Sequence, residues 1–268
     1  MKNIQALVLT VFCGAALFFT TSASAQQQGV ATIVRIHGTA TYTTGDGAWQ
    51  PLMVGMTLSQ GAVVKTDPGS TVDMVLAESR ANVGLTQPTI PVVASPTFGR
   101  MPPLMRMNVT AQQNVIRVEG DSVLAIDKLA YTDTGAETAT DTELDLRAGK
   151  VFGNVKKLSA MSRFEIKTPT GVAGIRGTAF TLSVDGTVTV YSGSVVVSMV
   201  VNGQTVTQVV GAGYQYNPST GQLIYLVPVG ESVDQWAAAN QPPQVLTTTQ
   251  IQAPVDAGTP LEYVSPVK

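Results

Sequence analysis

Apolar and polar positions alternate along much of this chain with the two-residue period of a β-strand. The alternation is clear in VATIVRIHGTATY at 30–42, and it returns at Val72, Met74 and Leu76. Apolar residues at helical spacing are rare, and only Val233 to Asn240 is typical of a short helix. The chain has 25 glycines, which separate the strand-like segments. The pattern predicts an all-β fold, an antiparallel sandwich or a twisted β-roll of short strands joined by Gly-rich turns.

The last third of the chain predicts a run of three hairpins. Asp185-Gly186 and Asn202-Gly203 each lie between two alternating segments. Such pairs favour two-residue hairpin turns because both central residues tolerate a positive φ. A third turn is indicated at Pro218-Ser219-Thr220-Gly221.

Three other segments depart from the strand pattern. Residues 1–25 combine Lys2, an uncharged apolar run and the small residues Ala23-Ser24-Ala25, which predicts a signal peptide that is removed on export. The apolar run is shorter than the ~20 residues of a membrane span. Phe12 precedes Cys13, which disfavours a lipoprotein cut. We therefore expect a periplasmic or extracellular protein that starts near residue 26, lacks cysteine and does not span a membrane.

The predicted all-β domain covers residues 26–228 and contains an insertion at 79–113. Five of the 15 prolines fall in this insertion, and proline cannot donate to a central β-ladder. The insertion could pack on its own domain, form a partner-binding arm or be disordered. Residues 229–268 are predicted to form the short helix and then a flexible tail rich in Pro and Gln.

Charge and residue counts exclude several function classes. Charged residues make up 13% of the chain, and the net charge of −2 disfavours nucleic acid as a partner. The single His and single Cys are too few for a zinc site, and His37 alone, in a predicted strand, is expected at the surface. We expect no catalytic, cofactor-binding or metal-binding residues. The weaker alternatives rest on acidic side chains or tyrosines: a carboxylate pair among Glu119, Asp121, Asp127, Asp141, Glu143 and Asp145, a weak calcium site in 133–145, or a sugar-stacking strip of Tyr191, Tyr214, Tyr216 and Tyr225.

One motif carries a family resemblance. TPTGVAGIRGTAF at 168–180 resembles the signature of FecR-type periplasmic domains, and segments from residue 30 to 217 are similar to that family in order, with 79–113 as an insertion. The residues that carry the motif are Thr168, Pro169, Gly171, Gly174, Arg176, Gly177 and Thr178. Glycine at every third position favours a tight, irregular backbone path. Arg176 is expected to tie loop carbonyls together, with anion or polysaccharide binding as the alternative.

The resemblance implies an exported, non-catalytic module whose relatives contact other proteins. The sensors of this family also have a cytoplasmic head and a membrane helix, which we do not expect here, so their signalling role is not carried over. We expect a non-enzymatic FecR-like protein without cofactors that binds a protein or a cell-envelope polymer such as a polysaccharide. The alternative is a self-assembling structural component of the envelope or extracellular matrix, in which sheet edges pair between copies.

Overall fold

The computed structural model describes residues 26–45, 47–77, 105–107, 114–135, 137–201, 204–242 and 249–251. The predicted signal peptide lies outside these residues. So do the predicted insertion, apart from 105–107, and the predicted tail beyond 242, apart from 249–251.

The described residues form 21 strands and one helix. The strands of the first half are β1 (Gln27–Gln28), β2 (Val30–His37), β3 (Ala40–Thr44), β4 (Gln50–Pro51), β5 (Thr57–Leu58), β6 (Ala62–Thr66), β7 (Thr71–Ala77), β8 (Met105–Met107), β9 (Asn114–Val118) and β10 (Val123–Asp133). They are followed by β11 (Thr138–Ala148), β12 (Lys150–Asn154), β13 (Arg163–Thr168), β14 (Gly171–Ile175), β15 (Ala179–Ser183), β16 (Val188–Ser192), β17 (Ser194–Val201), β18 (Gln204–Gly211), β19 (Tyr214–Asn217), β20 (Gln222–Tyr225), helix α1 (Val233–Asn240) and β21 (Thr249–Ile251). Helix α1 spans the same residues as the predicted helix.

Two large sheets contain nearly all of these strands. The first sheet has the order β18-β17-β14-β13-β11-β10-β6-β3-β4, and β1 also pairs with β10. The second sheet has the order β20-β19-β16-β15-β12-β9-β7-β2-β5, while β8 and β21 pair separately. Neighbouring strands are antiparallel, except that β11 and β13 run parallel. Side chains from both sheets meet in one core, which includes Ile33 and Met74 from the second sheet and Leu124 and Leu144 from the first. The predicted all-β sandwich is confirmed.

The chain crosses repeatedly from one sheet to the other, and most crossings turn at a residue with a left-handed backbone. These residues are Gly38, Gly55, Gly61, Gly69, Asp121, Gly149, Gly177, Gly193 and Gly213. Asp121 is the one non-glycine with a positive φ among the described residues, at 55°. Glycine dominates these corners because a side chain strains this backbone conformation.

The hairpin turn at Asp185-Gly186 differs in detail from its prediction. The amide of Gly186 donates to the carbonyl of Ser183 at 2.9 Å, and only Gly186 has a positive φ, at 84°. Asp185 instead accepts a hydrogen bond from the amide of Thr187 at 2.9 Å. The turn is therefore one residue longer than the predicted form. Asn202-Gly203 lies outside the described residues, although β17 and β18 pair from Ser194↔Gly211 to Val201↔Gln204.

The outer face of the second sheet is also largely buried. Helix α1 starts with a capping box between Ser232 and Gln235, and its Trp236 stacks on Tyr191 with ring centroids 5.5 Å apart. On the same face of β7 and β9, Asp73 accepts hydrogen bonds from Arg117 at 2.6 and 3.2 Å, and the Asp73 side chain is fully buried. This part of the second sheet is therefore buried on both sides.

Candidate functional site

The motif residues Thr168 to Gly171 form the tight turn between β13 and β14. The hydroxyl of Thr168 lies 3.2 Å from the carbonyl oxygen of Gly171 and donates to it, which closes the turn. Gly171 and Gly174 lie within regular strand β14, contrary to the predicted irregular path. A Cβ on Gly171 would overlap the carbonyl oxygen of Ser198, whereas a Cβ on Gly174 would have ordinary contact, 3.7 Å from the nearest carbonyl oxygen. Close approach of β17 thus explains the first glycine, and no packing constraint explains the second.

Gly177 and Thr178 form the corner between β14 and β15. Gly177 has a φ of +98°, and a Cβ there would lie 2.7 Å from the Cα of Lys157. The backbones of Thr178 and Val155 exchange two hydrogen bonds of 3.0 Å. The buried Thr178 hydroxyl donates to the carbonyl of Ser194 at 2.8 Å. This corner therefore joins the residue after β12 to the starts of β15 and β17.

Arg176 does not occupy the position that the sequence predicts. Its side chain is exposed, and it forms no hydrogen bond or ion pair with the residues that the structure describes. The carbonyl contacts that we expected from this guanidinium are made by the backbone and hydroxyl of Thr178. Because Gly177 lies against Lys157, the exposed side chains of Lys156, Lys157 and Arg176 flank the same corner. We call these three residues the basic corner.

A groove of about 600 Å³ opens beside the turn of the motif. We call it the motif groove; it is lined by Lys167, Thr168, Pro169, Thr170, Gly171, Val172, Asp185, Met199, Val200, Pro218 and Ser219. The lining comes from three hairpin turns and from β17. Hairpin topology brings these turns to one end of the sandwich, although they are far apart in sequence.

The motif groove offers hydroxyl and apolar contacts and little net charge. Lys167 donates to Asp127 at 3.2 Å and lies 3.0 Å from Glu143, so its charge is already paired. Asp185 accepts from both the amide and the hydroxyl of Thr187. Hydroxyls come from Thr168, Thr170 and Ser219, and apolar contacts from Pro169, Val172, Met199, Val200 and Pro218. This mixture suits a polypeptide segment better than a polyanion.

Residues 105–196 match the family described as FecR protein. We call residues 105–196 the FecR segment. The match includes the whole motif and ends within β17, so part of the motif groove, including Pro218 and Ser219, lies beyond the FecR segment. It does not reach residues 30–104 or 197–217, where the resemblance stays a prediction.

Two crystal structures of a candidate anti-sigma factor from Parabacteroides distasonis ATCC 8503 are similar in part. They are 16% identical in sequence, with TM-scores of 0.30 and 0.31, and the likeness covers 45% and 44% of this chain. It covers 54% and 53% of those proteins, about half of their length. The search of curated proteins gives no match.

The FecR segment carries a network of ion pairs on the outer face of the first sheet. Arg163 donates to Asp141 at 2.9 Å and also contacts Glu143, while Lys128 contacts Asp141. Burial opposes ionisation of Asp141, but hydrogen bonds from Lys128 and Arg163 hold its pKa below the usual value. The hydrogen bond from Lys167 likewise lowers the pKa of Glu143. These carboxylates are thus held ionised by basic partners.

The other side chains that the sequence singled out do not converge on one site. His37 is exposed, as expected. Among the described residues, no group of three or more His, Cys, Asp or Glu side chains could hold a metal ion, including the described part of 133–145. Tyr191 is buried under α1 and Tyr216 lies in the main core, so the four tyrosines do not form an open sugar-stacking strip. In the part of the chain that the structure describes, no helix has the length and apolar character of a membrane span.

Sequence reasoning missed the buried Asp73–Arg117 pair. A polar residue at an alternate strand position commonly faces solvent, but here the outer face of the sheet is buried too. A signal was available, because Val34 and Val75 make β2 and β7 apolar on both faces.

Proposed function

We propose that this chain is an exported, non-enzymatic FecR-type protein that binds a protein partner through the motif groove. The observation that carries the proposal is that the family's own signature turn, Thr168 to Gly171, forms one wall of an open groove. Pro218 and Ser219 also line the groove, lie outside the FecR segment and would give this chain its own specificity.

The placement of reactive side chains supports a binding role. His37 is exposed on β2, and the motif groove contains no histidine. Asp185, the acidic residue in the groove lining, accepts hydrogen bonds from the amide and hydroxyl of Thr187. Asp127 and Glu143 are paired with Lys167, so none of these three carboxylates is left as an unpaired general base. Export is part of the proposal and rests on the signal-like residues 1–25.

A photo-crosslinking side chain at Ser219 tests the proposal. Ser219 is exposed in the motif groove, and Gln50 is also exposed, on the outer strand β4 at the far edge of the first sheet. In cells that export the full chain, we expect the Ser219 derivative to capture one protein, and the Gln50 derivative not to capture it. Excess unlabelled wild-type protein should compete, and a Val200→Arg variant, which blocks the groove, should compete poorly. Equal products from both positions, or capture of polysaccharide alone, would contradict a protein-binding groove.

The basic corner favours a second candidate, an anionic cell-envelope polymer. Lys156, Lys157 and Arg176 are exposed, and none forms an ion pair with a described residue. Clustered cations without acidic partners attract polyanions in a salt-dependent manner. We expect Lys157→Ala/Arg176→Ala to weaken binding to anionic envelope polysaccharide at low salt. The control Lys65→Ala/Lys150→Ala removes the same charge from exposed positions elsewhere, and equal weakening by both variants would dismiss a specific site.

A further inference from the structure

The four outer strands of the two large sheets differ strongly in length. β4 and β5 have two residues each, and β4 contains Pro51, which has no amide hydrogen to offer. β20 has four residues. β18 has eight, from Gln204 to Gly211, and among the described strands it pairs with β17 alone, on one side. Short or proline-containing edges resist further pairing, so β18 is the edge that could accept another strand.

The β18 edge also lacks the charges that natural proteins use to block such pairing. Residues 194–211, which include all of β17 and β18, contain no Asp, Glu, Lys, Arg or His. Around this edge, Val200 is 68% exposed and Val209 is 57% exposed. Gln208 donates its side-chain amide to the carbonyl of Val209 at 2.8 Å, so an incoming strand would have to displace this contact. The edge thus combines the backbone of an outer strand with exposed apolar side chains and no charge.

We propose that β18 pairs with β18 of a second copy of this chain, in antiparallel orientation about a two-fold axis near Thr207. In such a pair, Thr207 faces Thr207 of the second copy, so a charge at this position would face a like charge. β18 carries none. The residues on its outer face, Thr205, Thr207 and Val209, are β-branched and suit cross-strand packing. The pairing would join two first sheets into one continuous sheet.

The length of the edge supports a second copy as the occupant. A strand of eight residues extends about 27 Å at ~3.4 Å per residue. Of the four outer strands described above, only β18 has this length. Pairing with β18 of a second copy could therefore provide hydrogen-bond partners along the whole edge. The contact is a strand edge with a few flanking valines, which is small for a protein interface, and we expect dissociation in the micromolar range. The proposal does not depend on the partner of the motif groove.

Sedimentation equilibrium of the purified protein over a hundredfold range of concentration tests this pairing. We expect the average mass to rise from one copy towards two. Thr207→Lys should abolish the rise, because lysines would meet at the two-fold axis. The matched control is Ser198→Lys on β17, since the Ser198 and Thr207 hydroxyls are hydrogen-bonded at 3.0 Å. The control loses the same hydroxyl hydrogen bond and places the same charge on β17, the neighbour of the edge strand. The control protein should still associate.

Hydrogen exchange gives a second readout that needs no variant. Backbone amides at the β18 edge should exchange more slowly as the wild-type concentration rises, while those of the short edge strand β4 should not change. A wild-type protein that stays monomeric throughout, or an average mass for Thr207→Lys equal to that of wild type, would overturn the proposal. Equal loss of association in Thr207→Lys and Ser198→Lys would also overturn it, because the two copies would then meet through the face of the sheet and not through the β18 edge.

Discussion

Replacing Gly177 by alanine adds one methyl group at the corner between β14 and β15. Its backbone has a φ of +98°, in the left-handed region where a side chain is strained. The new Cβ would lie 2.7 Å from the Cα of Lys157 and 3.2 Å from its amide nitrogen. Both are backbone atoms, so the clash cannot be relieved by rotating a side chain. The segments that carry Lys157 and Gly177 must move apart, which strains the paired hydrogen bonds of Val155 and Thr178.

The structure sets the expected size of this effect. The left-handed backbone costs a side chain about 1–2 kcal/mol, and overpacking adds about 1–3 kcal/mol. The free energy of unfolding should therefore fall by about 2–5 kcal/mol. For a domain of this size each kcal/mol lowers the melting temperature by about 2–4 °C, so we expect a decrease of about 4–20 °C.

Gly174→Ala is the matched control, three residues earlier in the same motif. A Cβ there would meet only the carbonyl oxygen of Val196, at 3.7 Å, and no left-handed backbone is involved. We expect a change within about 1 kcal/mol, with some gain from a less flexible unfolded chain. Circular dichroism of thermal unfolding measures both variants. A Gly177→Ala protein that melts within experimental error of wild type, or a Gly174→Ala protein that loses as much, would refute the reasoning.

Three further changes test other parts of the fold. Asp73→Ala leaves the buried Arg117 without its main carboxylate, and the free energy of unfolding in urea should fall by about 3–5 kcal/mol; a loss under ~1 kcal/mol would show that the pair is dispensable. Thr178→Val keeps the side-chain shape but removes the buried hydrogen bond to the Ser194 carbonyl, so calorimetry should show about 1–2 kcal/mol less stability. An unchanged stability would show that this hydrogen bond does not stabilise the corner. The Lys167 hydrogen bond lowers the pKa of Glu143, so the Glu143 carboxyl binds a proton less readily in the folded state than in the unfolded state. The resulting stabilisation is present above the ordinary carboxyl pKa and is lost as the pH falls through the lowered, folded-state pKa. The Glu143→Gln protein should therefore be less stable than wild type at about pH 7, and this difference in the free energy of unfolding should become smaller as the pH falls to about 3. A difference that stays constant with pH would contradict the lowered pKa.

Local patterns predicted the strands well because alternation and turn chemistry act over a few residues. Val72, Met74 and Leu76 face the core as their spacing indicated. The same pattern gave no warning about Asp73 on the opposite face. Whether a polar face meets solvent depends on what packs over the sheet, and that is not a local property of the strand.

The roles of the motif residues could not be predicted from their spacing in the sequence. The glycines at 171, 174 and 177 have equal spacing, but their surroundings are unequal: one adjoins a neighbouring strand, one has space and one forms a corner. Arg176 was expected inside this network because of its donors, yet the corner is closed by the smaller Thr178. The groove could not be predicted from the sequence, because Pro218 and Thr168 line the same groove only as a result of the order in which the strands pair.

The repeated crossing between sheets also determines how the chain can fold. β2 pairs with β7, and Gln27 of β1 pairs with Tyr131 of β10, so much of the sandwich requires closure of long loops. The last strands pair as local hairpins, β15 with β16, β17 with β18 and β19 with β20. Local contacts form early and distant ones late, so the C-terminal hairpins should acquire structure first and the N-terminal strands last.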